Sequence, residues 1–172
     1  MKRMSKQSIE HCIKGALKGD AKKNALELAS YFRTVEIIAE RETTGYWADK
    51  IYWNVSYKNE SICNIAIDEN QDGSWYITGD DSESNWFENP SLDKRIKEVI
   101  WKNVVVCDDY ASCGGCGSPD IASRKVVFGK AFNRVCLITL KFNNPDAETI
   151  ACIKKIFELR KNDILKGFEG EK

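Results

Sequence analysis

The sequence has little histidine, proline or methionine, and it has no net charge. It contains one histidine, three prolines and two methionines in 172 residues, and its 26 basic and 26 acidic side chains cancel. No global positive field is therefore available to attract a nucleic acid backbone or an anionic membrane surface. No apolar run reaches the length of about eighteen residues that suggests a bilayer span. We expect a protein with neither nucleic acid nor a membrane as its partner.

The opening residues, MKRMSKQSIEHC, carry positive charges but no apolar segment of the kind found in secretory signals. This pattern favours a cytoplasmic location, where reductants keep most thiols out of disulfides. An odd count of seven cysteines agrees with that environment. We therefore expect thiols that are buried, metal-bound or reactive rather than structural disulfides.

The side chain most often used as a general base, histidine, occurs only once. His11 lies beside the apolar stripe of a predicted helix, where a structural role is more common than a catalytic one. The sequence contains no phosphate-binding loop, no dinucleotide fingerprint and no nucleophile elbow. We expect a binding protein rather than an enzyme and assign no catalytic residue.

The spacing of apolar residues predicts one α+β domain over residues 1–172, because helical and strand periods occur in separate stretches. Apolar residues recur every three or four positions in residues 1–40, which predicts a helical pair. Residues 46–142 contain alternating runs typical of an antiparallel meander, together with one helix and a cysteine-bearing loop. A closing helix is predicted over residues 144–162. The helices are expected to cover one face of the sheet.

Polar residues before each predicted helix are candidate caps for its free backbone amides. Asn144, followed by Pro145 at the first helical position, is typical of such a start. The predicted caps are Ser8 or Ser5 for the first helix, Asp20 for the second, Ser91 for the third and Asn144 for the last.

Aromatic residues concentrate in the meander and its exit loop, and no lysine or arginine occurs from Asn59 to Asp93. An aromatic surface beside carboxylates can hold an apolar or cationic small molecule. Aromatic residues at alternating strand positions are also normal core residues, so packing is the competing interpretation. For the pocket, we expect a cavity bordered by at least two of Trp47, Trp53, Trp75 and Trp86.

The stretch SCGGCGSPD places Cys113 and Cys116 two glycines apart. A Cys-x-x-Cys turn supplies two of the four thiolates that a structural zinc site needs. CGGCG resembles the zinc knuckles of ribbon proteins and rubredoxins over five residues. A second such pair is absent, so Cys107 and Cys136 are the candidates for the other two ligands. A redox pair and a loop of two reduced thiols are the alternatives for the same stretch.

The remaining thiols are predicted to be core residues, because Cys12, Cys63 and Cys152 lie on or beside apolar faces.

The later part of the chain resembles small uncharacterised bacterial cytosolic proteins that combine a cysteine-bearing loop with a closing helix. The resemblance lies in CDDYASCGGCG, KVVFGKAFNRVC and NPDAETIACIKKIFELRK, about a third of the chain. It implies no activity, because those proteins have no known function. Two hypotheses follow: a non-enzymatic binding module for an unknown ligand, and a zinc or thiol-redox protein centred on CGGC. The oligomeric state is left open.

Overall fold

The computed structural model describes residues 8–44, 51–68, 73–80, 86–88, 91–107 and 122–170. The described residues form four helices and a seven-stranded antiparallel sheet, which confirms the predicted α+β fold. The helices are α1 (Ile9–Ala16), α2 (Gly19–Thr34), α3 (Lys94–Trp101) and α4 (Ala147–Gly170). The strands are β1 (Ile38–Glu42), β2 (Ile51–Tyr57), β3 (Glu60–Asp68), β4 (Ser74–Asp80), β5 (Val104–Val106), β6 (Ser123–Val127) and β7 (Lys130–Asn143).

The strands lie in the order β1-β2-β3-β4-β7-β5, and β6 also pairs with β7. β7 is 14 residues long and pairs along both of its edges. Its second half lies between β4 and β5, whereas its first half forms a hairpin with β6. Val135 marks the change, because it is the register partner of both Val106 and Ser123.

An apolar row crosses the sheet on the face that the helices cover. Trp53, Ile65, Ile77 and Phe142 are register partners on β2, β3, β4 and β7, and each is at most 3% exposed. Because alternate side chains of a strand point to opposite faces, this row presents one continuous apolar band to the helices.

α4 packs its apolar side against this band. Ile150, Ile153 and Phe157 are buried, which confirms the face predicted from their spacing. The Phe157 ring centroid lies 6.0 Å from that of Phe32 on α2, so the two longest helices meet above the sheet. Each such buried side chain contributes about 1.5 to 3 kcal/mol.

Two polar contacts fix α4 against α2. The Asn24 side-chain amide donates to the Pro145 carbonyl at 3.1 Å, at the start of α4. The Lys161 ammonium donates to the Val35 carbonyl at 2.6 Å, at the end of α2. A cation at a helix C-terminus satisfies an otherwise free carbonyl and interacts favourably with the helix dipole.

The first helix begins as predicted, but the second does not. Ser8 caps α1, because its hydroxyl accepts a hydrogen bond from the His11 backbone amide at 3.3 Å. The predicted cap Asp20 lies within the first turn of α2, where its carboxylate complements the helix dipole. The N-cap position is occupied by Lys18, which makes no side-chain capping bond.

The caps of α3 and α4 also differ from the sequence prediction. Asp93 rather than Ser91 caps α3, and its carboxylate accepts from the Arg95 amide at 2.8 Å. At α4, the carboxylate of Asp146 accepts from the Thr149 amide at 2.8 Å. The predicted cap Asn144 has a left-handed backbone instead, and its side chain accepts from the Trp75 amide on β4.

The predicted boundary at residue 40 is wrong, because α2 ends at Thr34 and β1 begins at Ile38. The sequence pattern does not reveal β1, because charged residues on a sheet edge lack the apolar alternation used to recognise strands. The charged residues of β1 are Glu40, Arg41 and Glu42. The closing helix also runs to Gly170, eight residues beyond the predicted residue 162. Ile164 is buried and explains the extension.

Two hairpins turn through left-handed residues. Lys58 and Asn59 connect β2 to β3 with φ of 50° and 68°, and Phe128 and Gly129 connect β6 to β7 with φ of 48° and 88°. Two consecutive residues of positive φ match the right-handed twist of the adjoining strands. Positive φ is uncommon for a bulky residue such as Phe128, so tertiary packing must hold it there.

Replacement of Phe157 by alanine tests the contact between α4 and the sheet. Phe157→Ala should lower the free energy of unfolding by about 3 to 5 kcal/mol, because it leaves a cavity under α4. Asn162→Ala, at an exposed position of the same helix, is the control and should change it by less than about 0.5 kcal/mol. Urea denaturation measures both. A loss below about 1 kcal/mol for Phe157→Ala would contradict this packing.

Gly73 tests the contact between α1 and the start of β4. Its φ is 71°, and an added Cβ would lie 2.6 Å from the Ala16 carbonyl oxygen. Gly73→Ala should therefore destabilise the protein by more than about 1 kcal/mol. Gly15→Ala, in α1 with nothing near its would-be Cβ, should instead stabilise it by about 0.5 to 1 kcal/mol. Thermal unfolding should shift the two variants in opposite directions, and equal shifts would refute the contact.

Candidate functional site

The tryptophans predicted to border a pocket lie in different surroundings. Trp53 and Trp75 are each 1% exposed and belong to the core under the helices, so their role in the fold is packing. The Trp75 indole N–H has no hydrogen-bond partner among the described residues. Trp86 is partly exposed beside α4, and Trp47 lies outside the described residues.

A cavity of about 20 Å³ lies between the sheet and α4, and Trp86 forms part of its wall. Phe157 and Ile77 line it from the helix and from the sheet. This volume is close to that of a single water molecule. The cavity is therefore a gap in the packing rather than a chamber for an organic ligand, and neither Trp53 nor Trp75 lines it.

Trp86 belongs to a small aromatic cluster that holds the β6–β7 turn. Its ring centroid lies 5.4 Å from that of Phe87 and 5.9 Å from that of Phe128, both in edge-on geometry. The Phe128 amide donates to the Phe87 carbonyl at 2.7 Å. These contacts explain how Phe128 retains its left-handed backbone, since aromatic pairs of this geometry contribute about 0.5 to 1.5 kcal/mol each.

The opposite side of the sheet is covered by none of the described helices, because all four contribute to the core on the Trp53 side. We call it the helix-free face. Tyr52, Ala66 and Tyr76 are register partners across β2, β3 and β4 on this face. Ala66 is fully buried between two partly exposed tyrosines. The next row across the same face consists of Glu40, Asn54, Asn64, Thr78 and Lys141.

The sequence prediction missed these tyrosines because it assigned the binding role to the tryptophans of the same strands. The available signal was the alternation itself, since Tyr52 lies between Ile51 and Trp53, and Tyr76 between Trp75 and Ile77. When the larger apolar residues face the core, the intervening tyrosines must face away from it.

Charged groups lie at both ends of the helix-free face. On β1, the Glu42 carboxylate accepts hydrogen bonds from the Thr44 hydroxyl at 2.6 Å and from the Thr43 and Thr44 amides at 3.0 Å. These bonds, the hydroxyl first, lower the pKa of Glu42 and keep it ionised. On β7, the Lys141 ammonium lies 4.5 Å from the centre of the Tyr76 ring.

Three cysteines are core residues, as predicted. Cys12, Cys63 and Cys152 are each at most 6% exposed. Burial raises the pKa of Cys63 well above its usual value, and burial is also the main cause of the raised pKa of Cys152. Because the thiolate is the nucleophile and the metal ligand, these two protonated thiols are suited to packing.

Cys107 directly follows β5, and Cys136 lies on β7, the strand that pairs with β5. The Cys107 amide donates to the Arg134 carbonyl at 2.7 Å, and Cys136 follows Val135 on β7. Cys107 is buried and Cys136 is partly exposed. Cys113 and Cys116 lie outside the described residues, and within the described ranges no three His, Cys, Asp or Glu side chains are grouped to hold a metal ion.

No helix in the described part of the chain is long and apolar enough to cross a membrane. No known protein family, curated protein or solved structure matches this chain.

Proposed function

We propose that this protein is a non-enzymatic binding module that recognises a folded protein partner through the helix-free face. The observation that carries the proposal is the row formed by Tyr52, Ala66 and Tyr76 across three paired strands. The buried alanine lets the two rings lie on either side of one small residue, on backbone held by the sheet.

The side chains on this face have the chemistry of a recognition surface. Tyrosine supplies a large amphipathic contact area with few rotatable bonds, and it is enriched in protein interfaces and in antibody paratopes. Asn54 and Asn64 beside the tyrosines add hydrogen-bonding groups that lose less side-chain entropy on binding than lysine or glutamate. Sites built on strands hold their geometry better than sites built on loops.

The shape of the surface favours a protein over a small molecule. Neighbouring strands lie about 4.8 Å apart, so the tyrosine row extends over a broad face rather than enclosing a volume. The cavity on the other side of the sheet has room for one water molecule. Glu40 and Glu42 on β1 are complementary to a basic patch on the partner and would fix its orientation.

Photo-crosslinking in the native cell tests this proposal, because it captures whichever protein contacts the modified position. A benzophenone amino acid in place of Tyr52, and separately of Tyr76, should capture the same protein. The same group in place of Asn162, on the exposed side of α4, is the control and should not capture it. Mass spectrometry identifies the product, and capture from all three positions would contradict recognition by the helix-free face.

The partner obtained in this way allows a quantitative test. Tyr52→Ala and Tyr76→Ala should each weaken its binding by about 2 kcal/mol, or roughly thirtyfold, because each removes a central aromatic anchor. Tyr→Phe at the same positions should retain most of the affinity, since the ring remains. Isothermal titration calorimetry measures the constants, and an unchanged affinity for both alanine variants would refute the proposal.

A second candidate function is a zinc or thiol-redox site at Cys113 and Cys116, with Cys107 and Cys136 completing a tetrathiolate set. What favours it is the double pairing of Val135. The strands that lead into and out of residues 108–121 end on opposite edges of β7 at this residue, next to Cys136. The ends of the CGGC segment are therefore within a few strand spacings of the other two thiols.

Native mass spectrometry of protein purified without chelator tests the zinc site. We expect one zinc ion per chain, lost in the variant that combines Cys113→Ser with Cys116→Ser and lost on acidification, because the ligands are thiolates. Cys152→Ala, which removes a core thiol of raised pKa, is the control and should retain the metal. Absence of zinc from the unmodified protein would exclude the tetrathiolate site.

A further inference from the structure

The cations of this molecule are unevenly distributed. Residues 122–143 contain five basic side chains and no acidic one, whereas no lysine or arginine occurs from Asn59 to Asp93. The first stretch forms β6 and β7, and the second includes all of β3 and β4. The β6–β7 hairpin is therefore basic, although the whole chain has no net charge. Its cations are Arg124, Lys125, Lys130, Arg134 and Lys141.

Many cations of the helical layer have carboxylate partners. Lys154 lies 2.6 Å from Glu27, and Arg95 lies 2.6 Å from Glu148. Arg124, Lys130 and Arg134, together with Lys102 after α3, form no ion pair with any residue in the described ranges. Lys102 and Lys130 line one groove, and we call the surface around these two lysines the basic surface.

Lys130 is held in place by aromatic rings. Its ammonium lies 5.3 Å from the centre of the Trp101 ring and 5.1 Å from that of Phe132. The Trp101 indole N–H donates to the Val127 carbonyl at 2.7 Å and fixes that ring. Because the ammonium group is already held against two rings, less side-chain entropy is lost when it binds an anion.

Lys130 and Lys102 line the same surface groove, which has a volume of about 220 Å³. Trp101 and Glu98 form the rest of its wall. Glu98 also lies 3.9 Å from Lys94 on the same helix, which offsets its charge. The groove thus places two lysines that have no carboxylate partner in the described ranges beside an aromatic ring.

We propose that the basic surface binds an acidic segment of a partner protein. Val106, exposed on β5, lies four residues after Lys102 in sequence and suits a segment in which acidic and apolar residues alternate. Nucleic acid fits less well, because Lys130 occupies the ring faces on which bases would stack. A long polyanion would also meet the stretch of the sheet that lacks cations.

This surface is distinct from the helix-free face and carries the opposite charge to Glu40 and Glu42 at its β1 edge. It therefore goes beyond the proposed function and does not depend on it. Tyr52→Ala and Tyr76→Ala should leave its binding unchanged, so failure of one proposal can be distinguished from failure of the other.

Fluorescence anisotropy with a labelled peptide of alternating glutamate and leucine tests the assignment. Lys102→Glu combined with Lys130→Glu should weaken peptide binding at least about tenfold, because it places like charges at the contact. The control combines Lys23→Glu with Lys166→Glu, which changes two exposed helix lysines by the same total charge and should have less than about a twofold effect. Lys102→Gln with Lys130→Gln provides a milder variant if charge reversal impairs folding.

Two further probes decide between partner classes. A peptide with glutamine in place of glutamate should not bind, and oligothymidylate should bind more weakly than the acidic peptide. Tighter binding of oligothymidylate, lost in the Lys102 and Lys130 variants, would assign the surface to nucleic acid and overturn the proposal. Equal weakening by the double variant and its control, or no binding of the acidic peptide to the unmodified protein, would overturn it as well.

Discussion

The hydrogen-bond ladder of β7 is the constraint on which the rest of the structure depends. One edge of this strand pairs with β4 and then with β6, while its other edge pairs with β5. It thereby joins the meander of the first half of the chain to the hairpin of the second half. A one-residue slip along β7 would turn Phe142 away from the helices and also displace the hairpin, so core packing and strand pairing enforce the same register.

The two faces of the sheet have different surroundings. The helices cover one face with an apolar band and are joined to one another by contacts such as that between Asn24 and Pro145. Trp53 and Trp75 lie on that face and stabilise the fold. This arrangement leaves Tyr52 and Tyr76 on the other face of the same strands, away from the helices. In the proposed function, recognition and stability therefore depend on alternate residues of the same strands.

Sequence patterns predicted the parts of this fold in which burial and period coincide. The helical spacing of Ile150, Ile153 and Phe157 identified the buried side of α4, and alternation identified β2. The same reasoning failed at β1, where the edge position permits charged residues in place of an apolar period.

The residues of the proposed binding face were harder to predict than the helices and strands, because the accessible residues of a strand are defined by what the opposite face buries. The sequence prediction selected four tryptophans because they are the largest aromatic residues, but two of them, Trp53 and Trp75, are buried in the core. Caps were ambiguous for a similar reason: Asn144 and Asp146 are both suitable, and the contact of Asn144 with Trp75 decided between them. That contact joins residues far apart in sequence and is invisible to local patterns.

Cations are concentrated in residues 122–143 and absent from Asn59 to Asp93, so a molecule of zero net charge carries its charge unevenly. A partner with its own charge asymmetry would feel a torque before contact, so productive orientations would be enriched among encounters. Added salt shortens the range of that torque, to about 8 Å at physiological ionic strength. Association rates of this protein should therefore respond to ionic strength even near its isoelectric point of about 6.6, where a uniformly charged sphere of zero net charge would show no response.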